Sequence, residues 1–382
     1  MKKVMIVYGT RPEGIKVAPV IKALEASDVL EPIVVSTGQH REMLDQVNRL
    51  FEVVPDLDLD IFEHGQNLNT IAAKIFTKLD PVLEELKPDL VLVQGDTTTV
   101  TIGSIAAFYR EIKVVHLEAG LRSGNLFSPF PEEANRRLTS QIASLHLAPT
   151  PESRDNLLRE GINPDDIVVS GNTVVDALFH AVEKEVEFTD PRVNAAVASG
   201  RRIMLVTSHR RENIGEPMEN LARALVKIAA DYPEDLILFP IHKNPKVRDL
   251  IRPQIDGLEN VILIDPLDYP EFTKAISAAH IVLTDSGGVQ EEAPSLGKPV
   301  LVLRDNTERP EAVTAGTVKL IGTEEDRIVD EVRELKDNEA AYAQMANAVN
   351  PYGDGKAAER CVAAMAELLG VGKRLADFNP GI

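Results

Sequence analysis

The chain has 382 residues, 44% hydrophobic, 26% charged and only 4% aromatic, with no Trp. That length accommodates two domains whose cores are built from Val, Ile, Leu and Ala, as buried parallel sheets are. A formal charge of −19 argues against a nucleic-acid partner, whose phosphates demand dense Lys and Arg. It leaves room for a small phosphorylated ligand held by a few arginines and helix N-termini. The single cysteine, Cys361, excludes an intramolecular disulfide and a CxxC zinc site, and suits a reducing compartment.

The apolar run behind Lys2 and Lys3 stops at Gly9-Thr10-Arg11-Pro12, too soon for a signal-peptide core. No stretch approaches the roughly 20 apolar residues of a membrane span. The expectation is a soluble, cytoplasmic chain with no membrane partner.

Short β-branched runs then alternate with helical patterns. Strands are predicted at 4–7, 32–36, 90–94, 114–117, 145–148 and 167–170, with helices at 15–26, 42–51, 68–86 and 99–109 between them. This alternation reads as βαβ units and a parallel sheet. It lapses between 180 and 202, which is charged and Ala-rich. It resumes with strands at 203–207, 236–239, 261–264, 281–283 and 300–303. The expected architecture is α/β: two Rossmann-like parallel-sheet domains facing a central cleft. The first domain comprises 1–178 plus 358–382, the linker 179–202 and the second domain 203–357. An amphipathic helix at 357–369 packs back on the first domain in this reading.

Ligands of open parallel sheets bind outside the carboxyl ends of the strands, so the residues just after each strand carry the functional signal. The first strand enters Gly9-Thr10-Arg11-Pro12-Glu13-Gly14, which lacks the GxGxxG dinucleotide fingerprint. Backbone N–H groups and the Arg11 guanidinium could meet a diphosphate there. The alternative is an ordinary βα turn with Arg11 in solvent.

Asp96 follows the strand at 90–94, and Glu118 follows the next strand; a standard crossover between them would place both carboxylates at one sheet edge. Glu132 enters a helix from a Pro-rich loop. Converging carboxylates can have their pKa values pushed apart, giving one site both an acid and a base. The competing structural roles are an N-cap for Asp96 and a first-turn dipole partner for Glu132. Glu118 has no helix immediately after it to cap.

In the second half His209, beside Arg210 and Arg211, follows the strand at 203–207. It could bind a diphosphate or move a proton. His242 is a weaker candidate of the same kind. The strand at 281–283 leads into Thr284-Asp285-Ser286-Gly287-Gly288 and a helix, where uncapped N–H donors and close backbone approach suit a phosphate. Glu291 and Glu292 either complement the helix dipole or bind a ribose diol. Arg309 either reaches a phosphate or is a solvated loop residue. Metal-ligand spacing such as HExxH is missing, and no metal or cofactor is expected.

Taken together the segments resemble one family, the non-hydrolysing UDP-N-acetylglucosamine 2-epimerases. The matching stretches are Gly9-Thr10-Arg11-Pro12-Glu13, Gln39-His40-Arg41, Gln94-Gly95-Asp96-Thr97-Thr98-Thr99, His116-Leu117-Glu118-Ala119-Gly120-Leu121-Arg122 and Pro131-Glu132-Glu133-Ala134-Asn135-Arg136. Further along come Gly171-Asn172-Thr173, His209-Arg210-Arg211-Glu212, the run from Thr284 to Pro294, Glu308-Arg309-Pro310-Glu311 and Pro351-Tyr352-Gly353-Asp354-Gly355. The likeness runs in order through essentially the whole chain.

The resemblance implies a glycosyltransferase-B-like fold and interconversion of UDP-N-acetylglucosamine with UDP-N-acetylmannosamine through bound UDP and 2-acetamidoglucal, without nicotinamide or metal. It implies Asp96, Glu118 and Glu132 as acid/base carboxylates and His209 near the departing diphosphate. Phosphates would fall to Arg11, Ser286, Gly287 and Gly288, the ribose to Glu292 and the nucleotide to Arg309. Lys16, Arg136, Arg210 and His242 complete the expected substrate contacts. A cytoplasmic homodimer serving cell-envelope polysaccharide synthesis is the implied setting. Other readings are a UDP-sugar glycosyltransferase of the same fold, a hydrolysing 2-epimerase that frees N-acetylmannosamine, and a non-catalytic nucleotide-sugar sensor. Some members of the family need a second UDP-N-acetylglucosamine as activator. Here Glu42 and Gly65 depart from the residues of that pocket, so weak or no dependence is expected.

Overall fold

The computed structural model describes residues 1–38, 41–63, 65–307 and 309–381. By internal contacts it divides into two units, Met1–Phe179 with Tyr352–Pro380, and His180–Pro351 with Gly381–Ile382.

The first unit carries β1 (Lys2–Tyr8), β2 (Leu30–Ser36), β3 (Leu57–Asp58), β4 (Leu90–Gln94), β5 (Lys113–Leu117), β6 (Leu145–Ala148) and β7 (Ile167–Val169). They form one parallel sheet in the order β3-β2-β1-β4-β5-β6-β7. From Val4 to Tyr8 and from Leu90 to Val93 the side chains are fully buried. This is the continuous apolar run of a strand covered on both faces, each large aliphatic contributing about 1.5–3 kcal/mol of burial. The chain order reverses between β1 and β4, so the crevice of a doubly wound sheet opens there.

The second unit repeats the plan with β8 (Ile203–Thr207), β9 (Leu236–Pro240), β10 (Val261–Ile264), β11 (Ile281–Thr284), β12 (Val300–Val302) and β13 (Val318–Leu320). The order is β10-β9-β8-β11-β12-β13, again all parallel, with its reversal between β8 and β11. The α/β class and both parallel sheets are as the sequence led one to expect. The two short strands β3 and β13 were not anticipated: Leu57 and Asp58 are exposed at an edge, and β13 has only Val318 buried.

The segment with no strand signal holds the end of the helix Thr173–Glu183 and the helix Pro191–Ala198. It is tied to the second unit where Thr189 N–H donates to Glu271 and Lys274 donates to the Val186 carbonyl. The helix Ala357–Leu368 packs on the helix Arg11–Glu25 within the first unit. Among the described residues no helix is long and apolar enough to cross a membrane.

Candidate active site

In the first unit the candidate residues gather at the β1/β4 reversal. Because Gln94 and Leu117 are paired in register, the segments that follow them leave the sheet side by side. Asp96 does not cap the next helix. Thr97 does, accepting from Val100 N–H at 3.4 Å. The Asp96 carboxylate instead receives Arg136 Nη2 at 2.6 Å, while Asn135 Nδ2 donates to the Asp96 carbonyl at 2.8 Å.

Glu118 sits at φ 64°, a left-handed conformation that costs a non-glycine residue roughly 1 kcal/mol or more and is typical of functional turns. Its carboxylate accepts hydrogen bonds from Lys16 and Gln94, and from Asn172 Nδ2 at 3.3 Å. Two residues on, Gly120 has φ +92°, and a Cβ there would lie 2.1 Å from the Ser153 carbonyl oxygen. Only glycine lets this loop lie against the helix Pro151–Arg159.

The adjacent Glu132 and Glu133 divide their tasks. Glu133 is fully buried and accepts from Ser123 N–H at 2.9 Å and from Arg136 and Arg137. Burial pushes its carboxyl up, but these donors outweigh that and hold it below the usual range. Glu132 opens the helix Glu132–Ile142, and its Oε2 is buried with no hydrogen-bond partner among the described residues. An orphaned buried carboxylate oxygen requires an explanation, and a bound substrate supplies one. Glu132 also lies one turn from Arg136, on the same helix face, which brings it toward Asp96.

The Gly9 turn differs from its expected use. The N–H groups of Gly9 and Thr10 donate to the buried Glu13 carboxylate at 2.6 and 2.9 Å, and Thr97 Oγ1 donates to its other oxygen. Those two amides are therefore not donors for a diphosphate. Arg11 is exposed at the helix start and makes no ion pair among the described residues. Lys16 and Arg136, expected at the substrate, spend hydrogen bonds on Glu118 and Asp96 and so orient carboxylates.

In the second unit the β8/β11 reversal is organised by a residue not singled out from sequence, Asp285. It has no exposed surface and accepts from Ser208 Oγ (2.9 Å), Arg210 N–H (3.0 Å), Asn213 Nδ2 (3.0 Å) and His209 N–H (3.0 Å). His209 Nδ1 lies 3.2 Å from its other oxygen. Burial pushes Asp285 up, but these donors prevail and keep it below the usual carboxylate range. The His209 ring is about half exposed and 6.3 Å from the His242 ring, whose Nδ1 accepts from Asn244 N–H.

Ser286 is the N-cap of the helix Gly287–Ser295, yet its side chain makes no capping bond. The first-turn N–H groups of Gly287 and Gly288 consequently keep their donors for an anion. Arg309 is not a solvated loop residue. Its guanidinium lies over Gly287, where a Cβ would come within 2.5 Å of Nη1, and its Nε donates to Glu291 at 2.6 Å. That pairing gives Glu291 a structural partner. Glu292 is buried and accepts from the Tyr269 hydroxyl at 3.1 Å. Arg210 Nη1 lies 3.5 Å from Glu212.

Gln39, His40 and Glu308 of the matching stretches lie outside the described residues, as do the side chains of Arg41, Glu42 and Arg211. The residues that sequence reasoning missed are the buried organisers Glu13, Gln94, Glu133, Asn172 and Asp285. Each stands inside or beside a motif already noticed, and only its hydrogen-bond partners in the fold reveal the task.

Residues 22–366 match the family model described as UDP-N-acetylglucosamine 2-epimerase. The chain is 52% identical over 368 residues to the UDP-N-acetylglucosamine 2-epimerase of Yersinia pestis, covering 95% of this chain and 98% of that one. Its fold is similar to a crystal structure from Listeria monocytogenes named as a UDP-N-acetylglucosamine 2-epimerase (TM-score 0.93, 44% identity, 99% of this chain and 100% of that one). It is also similar to the Neisseria meningitidis UDP-GlcNAc 2-epimerase solved bound to UDP-GlcNAc (TM-score 0.84, 49% identity, 96% and 100% covered). Identity at this level along nearly the full length of each chain leaves one conclusion: the chain belongs to the UDP-N-acetylglucosamine 2-epimerase family.

Proposed function

We propose that the chain reversibly epimerises UDP-N-acetylglucosamine at carbon 2 to UDP-N-acetylmannosamine, by eliminating UDP and adding it back across bound 2-acetamidoglucal. What supports this reading is that Asp96 and Glu118 follow the register-paired ends of β4 and β5, and that the helix opened by Glu132 is tied to Asp96 through Asn135 and Arg136. Two of these carboxylates are held by cations and the third keeps a buried oxygen without a partner among the described residues. A sugar C–H is a weak acid, so its removal needs a positioned base and a stabilised leaving group. The diphosphate would lie on the amides of Gly287 and Gly288 with Ser286, Arg11, Arg210 and His209 around it. Such preorganised donors contribute about 3–4 kcal/mol each where charge develops. Glu292 would take the ribose and Arg309 the nucleotide, with His242 at the edge of the phosphate site.

In this scheme one carboxylate takes the carbon-2 proton as the C1–O bond breaks. UDP stays bound, re-adds to carbon 1, and a second carboxylate returns a proton to the other face. Exclusion of water protects the glucal from hydrolysis. The same reading makes the protein a cytoplasmic homodimer in cell-envelope polysaccharide synthesis, with little dependence on an activating second substrate molecule.

The test is incubation with UDP-N-acetylglucosamine in heavy water without NAD or added metal, followed by proton NMR. UDP-N-acetylmannosamine with deuterium at carbon 2 supports the proposal. Free N-acetylmannosamine would replace it with a hydrolysing epimerase, and an unchanged sugar with a transferase or a sensor.

A further inference from the structure

We propose that Asp285 is a positioning residue that fixes the proton of His209 on Nδ1 and so reserves Nε2 for the phosphate oxygen that leaves carbon 1. The inference rests on the elimination reading above and adds which ring atom acts and what selects it.

The argument begins with hydrogen-bond inventory. One Asp285 oxygen already receives Ser208 Oγ and the N–H groups of His209 and Arg210, together with Asn213 Nδ2. The other oxygen faces His209 Nδ1 at 3.2 Å. A carboxylate with that many donors, held below its ordinary range, is ionised and can only accept. With His209 Nδ1 3.2 Å from an oxygen that can only accept, the contact favours the tautomer that carries its hydrogen on Nδ1. Nε2 is the other nitrogen of a ring that is about half exposed.

The register of the sheet explains why the pair exists. Thr207 is opposite Thr284 on β8 and β11, and their hydroxyls are 2.6 Å apart. The next residues, Ser208 and Asp285, thus leave the sheet together at the reversal, with His209 one step beyond. Asp285 also precedes Ser286, so the carboxylate that orients the imidazole is covalently next to the phosphate-binding turn. A one-residue slip in either strand would separate them.

During elimination the sugar C1–O bond breaks with its electron pair staying on the β-phosphate oxygen, the C2–H pair becomes the C1=C2 double bond of the glucal, and the carbon-2 proton passes to one of the proposed acid/base carboxylates. His209 Nε2–H donates a hydrogen bond to that oxygen, and the Asp285 charge stabilises the imidazolium that makes the donor strong. No proton need be lost from the ring, so re-addition of UDP runs back through the same contact. Among the described side chains, the ionisable groups on this loop and across from it are Asp285 at Nδ1, His242 facing the ring, and Arg210 with Glu212, which Arg304 also approaches.

The experiment combines Asp285→Asn with nitrogen NMR of the full chain labelled in histidine, the His209 signal being assigned with His209→Gln. In the unaltered protein His209 is expected to show its hydrogen on Nδ1. Asp285→Asn keeps an acceptor for the loop amides but removes the charge. The high-pH fall of kcat should move down by about one pH unit or more, and kcat should drop at least about tenfold while KM changes little. Ser208→Ala, which loses one donor to Asp285 but not the ring contact, should lower stability without moving the pH profile. A folded Asp285→Asn protein with an unmoved profile would overturn the proposal. So would an NMR spectrum with Nδ1 unprotonated, which decides the matter even if the variant does not fold. The tautomer is read without substrate, so its result is separate from whether the chain epimerises this sugar.

Discussion

Arg136 Nη2 donates to Asp96 Oδ2 at 2.6 Å, linking the helix that begins at Glu132 to the loop after β4. The same guanidinium lies 3.3 Å from buried Glu133. Glu133 thus holds Arg136, Arg136 holds Asp96, and Glu132 rides on the helix that joins them. Asp96→Asn should abolish epimerisation, by about a hundredfold or more, while UDP binding by calorimetry stays within a few fold. Arg136→Met should lower kcat by a smaller factor, on the order of ten to a hundred, because the carboxylate remains but loses its orientation. Unaltered turnover in Asp96→Asn would take that residue out of the catalytic set.

Much of this was legible before the fold was known. Apolar runs gave the buried strands, and the rule that ligands lie beyond strand ends picked out Asp96, Glu118 and His209. Adjacent like residues were not separable: nothing in Glu132-Glu133 or Glu291-Glu292 says which faces a loop amide or an arginine. Asp285 was passed over because its partner is 76 residues away in the chain and only the β8–β11 register joins them. Glu13 looked like the tail of a phosphate turn, whereas it closes that turn with its own carboxylate. The strand at Leu57–Asp58 has no apolar run to announce it, being an exposed edge of two residues.

Lys16 and Glu118 form an ion pair in which both side chains are largely covered. Lys16→Met should remove that ammonium from Glu118 while leaving the hydrogen bonds from Gln94 and Asn172. The expected result is a fall in kcat of about ten- to a hundredfold with UDP affinity largely kept. Glu118→Gln should abolish turnover. Isotope exchange at carbon 2, measured separately from net conversion, checks whether the loss is in proton transfer.

Gly287 is the place where Arg309 crosses the turn proposed to bind the diphosphate. A methyl group there would stand 2.5 Å from Nη1, so Gly287→Ala must displace the guanidinium and disturb its bond to Glu291. The helix itself is untouched, since alanine favours helix more than glycine does. UDP affinity should weaken by about tenfold, or roughly 1.4 kcal/mol, with thermal stability unchanged or slightly higher. Calorimetry with UDP, paired with a melting curve, reads both.

The expectation of little activator dependence reduces to a kinetic comparison. Conversion of UDP-N-acetylmannosamine should begin at full rate without a lag. A trace of UDP-N-acetylglucosamine should change that rate by less than about fivefold, the lower end of ordinary allosteric coupling. A large stimulation would show that Glu42 and Gly65 do not disable the second site.

His116 links stability to pH at the loop that carries Asp96. It is buried on β5, and its Nε2 lies 2.7 Å from the Gly95 carbonyl. A carbonyl only accepts, so Nε2 carries the hydrogen and holds the turn that presents Asp96. Burial pushes the imidazole down to about 4, against a partial pull upward from that hydrogen bond. The folded state therefore binds the second proton less readily than the unfolded chain, whose histidines titrate near 6.5. Its contribution to stability is full above about pH 6.5 and is lost as pH falls toward 4. By pH 5 the loss from this residue is about 2 kcal/mol. His146, beside it on β6 and pushed down to about 3 chiefly by burial, adds in the same direction. Urea titrations of the unaltered protein and of His116→Gln at pH 7 and pH 5 isolate the effect. The variant should be less stable at pH 7 but lose less on acidification, and equal losses in the two proteins would assign the acid sensitivity elsewhere.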